Sequence, residues 1–180
     1  VRLEVYSGCL SRLRTEILAL ACFKDIRPLR GLAGEVDWYY SGIISRMMMH
    51  KRFTGFHGET LLTPTEGKLR ISKVMMIGLG PSSSYDALQF ENAVVKLVKR
   101  IAGLQVRDCA VATDSFCGEA LEISWVAASF LKAWHENPSA PALNLVINDL
   151  EQAKAFQRKI KGGAVYSDTP ESAASEHRKP

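Results

Sequence analysis

The sequence predicts an α/β fold with a mixed sheet sandwiched between helices, and three observations carry that expectation. Short apolar runs of strand length alternate with segments of helical periodicity. The run Val74-Met75-Met76-Ile77 is apolar on successive residues, as suits a strand in the middle of a sheet covered on both faces. The segment from Tyr85 to Ala102 divides into an apolar and a polar stripe, which predicts a helix lying on such a sheet.

In chain order, Leu3 to Tyr6 and Thr15 to Phe23 have strand length, and the short polar connection between them suggests a hairpin or two adjacent strands. Leu32 to Lys51 reads as helical, with Gly34 and Gly42 inside it; each glycine costs about 1 kcal/mol relative to Ala, so a break is expected to be tolerated there. Glu59 to Thr63 and Lys73 to Leu79 are strands, and the second ends at Gly78-Leu79-Gly80-Pro81 before three serines. The Tyr85–Ala102 helix carries Phe90, Val94, Leu97 and Ile101 on one side, and Gln89, Asn92, Lys96 and Lys99 on the other. Asp108 to Thr113 is a strand. Gly118 to Glu136 is a helix with Glu119 and Glu122 near its positive end, expected to pack through Trp125 and Phe130. Leu143 to Ile147 is a further strand, and Asp149 caps a last helix that runs to about Ile160. Beyond Tyr166 the composition turns to Ser, Ala, Glu, Pro and Lys. The expected organisation is one domain over residues 1–162 and a polar tail or linker over 163–180.

Composition narrows the function classes. With 180 residues, 47% hydrophobic and 23% charged, the chain has enough apolar material for one sizeable core. The net charge of +4 is concentrated in part at Arg12, Arg14, Lys24, Arg27 and Arg30, but no aromatics are interleaved at stacking intervals. This reads as a solvated face, and nucleic acid is not expected as a partner. Cys9, Cys22, Cys109 and Cys117 form no Cys-x-x-Cys pair and have no His at ligand spacing, so they read as free thiols in a reducing compartment, with a cytoplasmic location expected. The run from Ile17 to Phe23 is too short for a signal peptide, and no run approaches the roughly 20 apolar residues that span a bilayer, so no membrane role is expected.

The candidate ligand-binding residues are Gly78, Gly80, Ser82, Ser83 and Ser84. Glycines let a backbone approach an anion, a helix N-terminus offers unpaired N–H groups, and the serines add hydroxyl donors. The third glycine of a dinucleotide fingerprint and the Gly-Lys-Ser/Thr ending of a P-loop are both missing, and a capped tight turn is the competing explanation. His50 and His57 lack an orienting carboxylate in the local pattern and read as turn or surface residues. Met47-Met48-Met49 reads as core at the end of a helix. Asp114, Cys117 and Glu119 fall at a strand-to-helix junction, where α/β proteins bind ligands. No catalytic residue, metal ligand or cofactor is assigned.

Three stretches carry a family resemblance: Leu29-Arg30-Gly31-Leu32-Ala33-Gly34-Glu35-Val36-Asp37; then Phe53-Thr54-Gly55 before Gly58-Glu59-Thr60-Leu61-Leu62; then Val74-Met75-Met76-Ile77-Gly78-Leu79-Gly80. In order and spacing they resemble the N-terminal domain of leucyl (cytosol) aminopeptidases over about residues 1–162. The resemblance implies a macro-domain-like three-layer α/β/α fold. The two-metal site of that family lies in a separate C-terminal domain with an Asn-Thr-Asp-Ala-Glu-Gly run, and no such run occurs here. The expectation that follows is a non-catalytic binding or assembly domain that self-associates or pairs with another chain. The alternatives are a nucleotide- or ADP-ribose-like ligand held by a macro-like fold, and a partner or fragment of a two-metal aminopeptidase whose catalytic domain lies elsewhere.

Overall fold

A computed structural model describes residues 3–118 and 121–161. Glu119, the domain boundary at residue 162 and the tail over 163–180 lie outside the described residues. The elements, in chain order, are β1 (Leu3–Tyr6), β2 (Thr15–Cys22), α1 (Gly31–Tyr39), α2 (Ile43–Met49), β3 (Thr60–Pro64), β4 (Ile71–Gly78), α3 (Ala87–Ala102), β5 (Asp108–Ala112), α4 (Ile123–His135), β6 (Ala142–Val146) and α5 (Leu150–Lys161). The six strands form one mixed sheet in the order β1-β6-β5-β2-β4-β3, parallel except for β3, which pairs antiparallel with β4.

The sheet separates two apolar layers. Ile17, Ala19 and Ala21 of β2 point into a core with Phe90 and Leu97 of α3 and Val126 and Phe130 of α4. Leu18 and Leu20 point into the other, with Leu32 and Val36 of α1 and Ile44 of α2. Successive side chains of a strand face opposite sides, so a continuous apolar run is what two covered faces require. β2 is the purest such run, and it sits near the centre of the sheet.

The expectation of a hairpin or adjacency for the first two strands is corrected: β1 lies at the sheet edge beside β6, with β6 and β5 between it and β2. All four are parallel, which a tight turn cannot connect. The intervening segment instead makes a 3-10 turn at Leu10–Arg12, and Leu10 and Leu13 are buried against the α1/α2 side of the sheet. The long helix expected over Leu32 to Lys51 breaks into α1 and α2, where Ser41 and Gly42 take positive φ values of 56° and 73°. Asp37 of α1 caps α2 across this turn, accepting from the Ile44 N–H at 2.8 Å and the Ser45 hydroxyl at 2.5 Å.

α3 buries the predicted stripe, is capped by Asp86, which accepts from the Gln89 N–H at 2.8 Å, and exposes Lys96 and Lys99. α4 starts later than predicted, with Glu122 at its N-cap. Its buried tryptophan is Trp134, whose indole N–H donates to the Pro141 carbonyl at 2.7 Å. Trp125 is half-buried, its ring centroid 5.1 Å from that of Phe90. The packing expected of Trp125 and Phe130 thus falls mainly on Phe130 and Trp134. Of the three consecutive methionines, Met48 is core, while Met49 is 72% exposed.

Candidate functional site: a cleft at the carboxyl end of the sheet

β2 and β5 are neighbours, yet the helix after β2 covers one face of the sheet and the helix after β5 covers the other. Adjacent strands whose connections diverge in this way leave a crevice beyond their carboxyl ends, where open α/β sheets bind ligands. A cavity of about 410 Å³ lies there, lined among others by Phe23, Ile26, Leu32, Tyr85, Ser82 and Asp114. That volume falls within the roughly 300–1,000 Å³ of small-molecule sites.

The first turn of α1, residues Gly31 to Ala33, forms part of the wall. Asp114, in a 3-10 turn (Thr113–Phe116) that packs against α1, forms another part. The Asp114 Oδ2 accepts from the Asn148 N–H at 3.0 Å, whereas its Oδ1 is buried without a partner. Burial raises the Asp114 pKa, and the nearby Asp149 carboxylate adds to the shift. Two other polar groups of the lining are engaged within the protein. Ser115 accepts from the Ala21 N–H at 2.9 Å and donates to the Ala112 carbonyl at 2.7 Å; the Tyr85 hydroxyl donates to the Phe116 carbonyl at 2.6 Å. Burial pushes the Cys22 thiol up to about 12, which favours its protonated form at neutral pH.

The structure divides the sequence-predicted site residues. Ser82 and Ser83 line the cleft. Gly78 and Gly80 instead carry a backbone clamp: the Gly78 N–H donates to the Glu59 carbonyl at 2.8 Å, the Leu79 N–H to the Cys22 carbonyl at 2.9 Å and the Gly80 N–H to the Gly55 carbonyl at 2.9 Å. These donors are already committed and form no anion cradle. Gly78 has a glycine for want of room, since a Cβ there would lie 2.5 Å from the Gly55 carbonyl carbon. Ser84 is exposed, and its hydroxyl donates to the Pro81 carbonyl at 3.3 Å.

Glu59 completes the clamp. Its Oε2 accepts from the N–H groups of Thr54 (2.9 Å), Gly55 (2.9 Å) and Phe56 (3.2 Å) and from the Thr54 hydroxyl (2.7 Å). The conspicuous glycines and the acidic residue of Phe53-Thr54-Gly55 and Gly58-Glu59-Thr60 therefore build architecture beside the cleft.

A contact beside the cleft that sequence reasoning missed is that of Asp25 with Ser82. The two Asp25 carboxylate oxygens take the Ser82 N–H and the Ser82 hydroxyl, both at 2.9 Å. No local pattern marks it, because its partner is 57 positions away. Asp108 and Asp114 stand at opposite ends of β5, and Asp108 Oδ1 accepts from the Thr15 hydroxyl at 2.6 Å and the Glu16 N–H at 2.8 Å. Among the described residues no group of three or more His, Cys, Asp or Glu side chains is placed to hold a metal ion. No helix described is long and apolar enough to cross a membrane.

Comparison with known proteins places this geometry. The chain is 24% identical over 117 residues to a probable cytosol aminopeptidase of Alkaliphilus metalliredigens, covering 65% of this chain and 23% of the relative. It is 28% identical over 104 residues to one of Persephonella marina, covering 56% of this chain and 21% of the relative. The chain thus spans less than a quarter of the length of these curated relatives. Among solved structures, a tomato leucine aminopeptidase mutant superposes with a TM-score of 0.63 at 16% identity, over 89% of this chain and 35% of that one. An Oceanobacillus iheyensis macrodomain mutant solved with ADPR superposes with a TM-score of 0.70 at 14% identity, over 89% and 92%. The fold is therefore macrodomain-like. The family model that matches, over residues 19–136, describes the N-terminal domain of the cytosol aminopeptidase family, and this chain belongs to that family through that domain.

Proposed function

We propose that this domain serves an aminopeptidase of its family by binding and assembly, and that peptide hydrolysis belongs to a catalytic domain outside the matched region. The observation that carries the reading is Trp38. It projects from α1 with 73% of its surface exposed and stacks edge-on against Tyr39, with ring centroids 5.2 Å apart. Together with Pro28 and Leu29 these rings border an open concavity. Tryptophan is one of the residue types enriched among the anchors of protein interfaces. The natural partner is a second copy or an aminopeptidase chain.

Sedimentation of the wild-type chain and of Trp38→Ser across a concentration series tests the reading. The wild type is expected to self-associate, and the variant to weaken association by about thirtyfold or more, since an interface anchor contributes at least about 2 kcal/mol. Two monomers indistinguishable up to millimolar concentration would refute self-assembly through α1.

A second reading, a nucleotide- or ADP-ribose-like ligand, has the switch-point cleft and its volume in its favour. A ligand bound only by the folded chain raises the melting temperature. A shift with ADP-ribose, accompanied by movement of the Asp114 and Gly31–Ala33 amides, is the outcome this reading requires.

A further inference from the structure

We propose that the cleft takes the amino end of a small ligand with an apolar side chain, an α-amino acid or the first residue of a peptide, and that Asp114 receives its ammonium group. This ligand class differs from the nucleotide reading of the same cleft. The two share only the premise that the cleft admits a small molecule.

The need for a donor comes from Asp114. Its Oδ2 accepts from the Asn148 N–H at 3.0 Å, while Oδ1 is closed off from solvent and has no hydrogen-bond partner. A buried acceptor left unmade costs about 1 to 3 kcal/mol, which a ligand's donor recovers. Neighbouring hydroxyls do not supply it: in the same lining, Ser82 donates to Asp25, Tyr85 to the Phe116 carbonyl and Ser115 to the Ala112 carbonyl. Asp114 as a whole is only half-buried and lines the cavity, so its carboxylate meets a ligand there by turning about its own side-chain bonds.

The surroundings of that carboxylate favour a cationic donor. Burial and the Asp149 carboxylate both oppose a charge on Asp114, and together they outweigh the backbone hydrogen bonds that favour it. A cation beside Asp114 restores the charged form, whereas a phosphoryl group would bring a further negative charge to the two carboxylates.

The rest of the cleft suits what an α-ammonium is attached to. Phe23, Ile26 and Leu32 give it apolar walls, and its volume of about 410 Å³ leaves room for a branched side chain. Gly31, Leu32 and Ala33, the first turn of α1, line it too, and no side chain caps that helix. First-turn N–H groups have no partner within their own helix, so they suit the carbonyl or carboxylate oxygen two bonds from the ammonium-bearing carbon. The 3-10 turn carrying Asp114 packs against α1, which brings the two ends of the proposed site together.

The test titrates the whole chain and its Asp114→Asn variant at pH 7 with leucinamide, leucine, glycinamide, 4-methylpentanamide and ADP-ribose, followed by the Asp114 and Gly31–Ala33 amide resonances. Glycinamide keeps the ammonium without the side chain, and 4-methylpentanamide keeps the side chain without the ammonium. Leucinamide stands for a peptide's amino end and leucine for a free amino acid; the tighter of the two identifies the source. The expected result is that one or both move these amides at millimolar concentration, while glycinamide and 4-methylpentanamide bind at least about tenfold more weakly, the least that a hydrogen bond to a charged group is worth. Asp114→Asn is expected to abolish the preference for leucinamide over 4-methylpentanamide. If the variant does not fold, the ligand series on the wild type carries the test. Equal binding of leucinamide and 4-methylpentanamide, no binding of leucinamide or leucine, or a folded Asp114→Asn that keeps the preference would overturn the proposal. ADP-ribose separates the two readings: if it alone moves the cleft amides, the amino-end proposal falls and the nucleotide reading stands, and if leucinamide alone does, the reverse holds.

Discussion

Gly78 and Gly55 approach so closely that a Cβ on Gly78 would lie 2.5 Å from the Gly55 carbonyl carbon, closer than atoms of a folded chain are found. This contact joins the end of β4 to the loop before β3 and brings two widely separated glycine motifs together.

Gly78→Ala is accordingly expected to destabilise the domain by about 2 to 3 kcal/mol, the upper range for overpacking a rigid site, because the obstructing atoms are backbone. Urea denaturation measures it. A loss under about 0.5 kcal/mol would mean that the clamp opens without strain.

Glu59→Gln should cost about 1.5 to 3 kcal/mol, as expected for hydrogen bonds made to a charged group. Burial alone would raise the Glu59 pKa, but the bonds from Thr54, Phe56 and Gly55 outweigh it and hold the carboxyl below its ordinary value. A folded pKa below the unfolded one, about 4.3, means that the unfolded chain binds the proton more readily. The contribution is therefore fully present above the unfolded pKa and is lost as pH falls through the folded one. Melting temperatures of wild type and Glu59→Gln should draw together as pH falls below the unfolded pKa and through the lowered folded one. Curves that remain parallel from pH 7 to pH 3 would contradict this role.

Trp134→Ala should destabilise by about 3 to 5 kcal/mol, since its ring is 1% exposed and its N–H is paired. Trp125→Ala should cost about 1 to 2 kcal/mol, in keeping with partial burial. Equal losses in chemical denaturation would show that α4 turns a different face to the sheet.

Thiol labelling should follow burial. Cys9 is exposed, and a hydrogen bond with Ser11, 3.1 Å away, lowers its pKa. Cys22 and Cys109 are buried, and burial pushes Cys117 up to about 12. Native protein at pH 8 is expected to alkylate rapidly at Cys9 alone, with the other three reacting only on unfolding. Fast labelling of Cys22 by intact-mass analysis would show that the cleft opens more widely than its packing implies.

The sequence by itself determined the layers, the amphipathic helix α3 and the central strands, because apolar periodicity is a local record of which faces are covered. It also carried the family, because the glycine motifs retain their order and spacing. It misassigned β1 relative to β2, since a short polar connection looks the same whether strands pair or part; the pairing was decided by β6, more than a hundred residues away. The same separation explains the site. Gly78 and Gly80 look like a phosphate loop in one dimension, but their N–H groups are consumed by residues Glu59 and Gly55. Asp25 looks like an ordinary end to an apolar run, yet the tertiary structure sets it on Ser82. Hydrogen-bond donors are legible in a sequence. Whether the folded chain has already satisfied them depends on contacts between distant segments, and only the tertiary structure decides it.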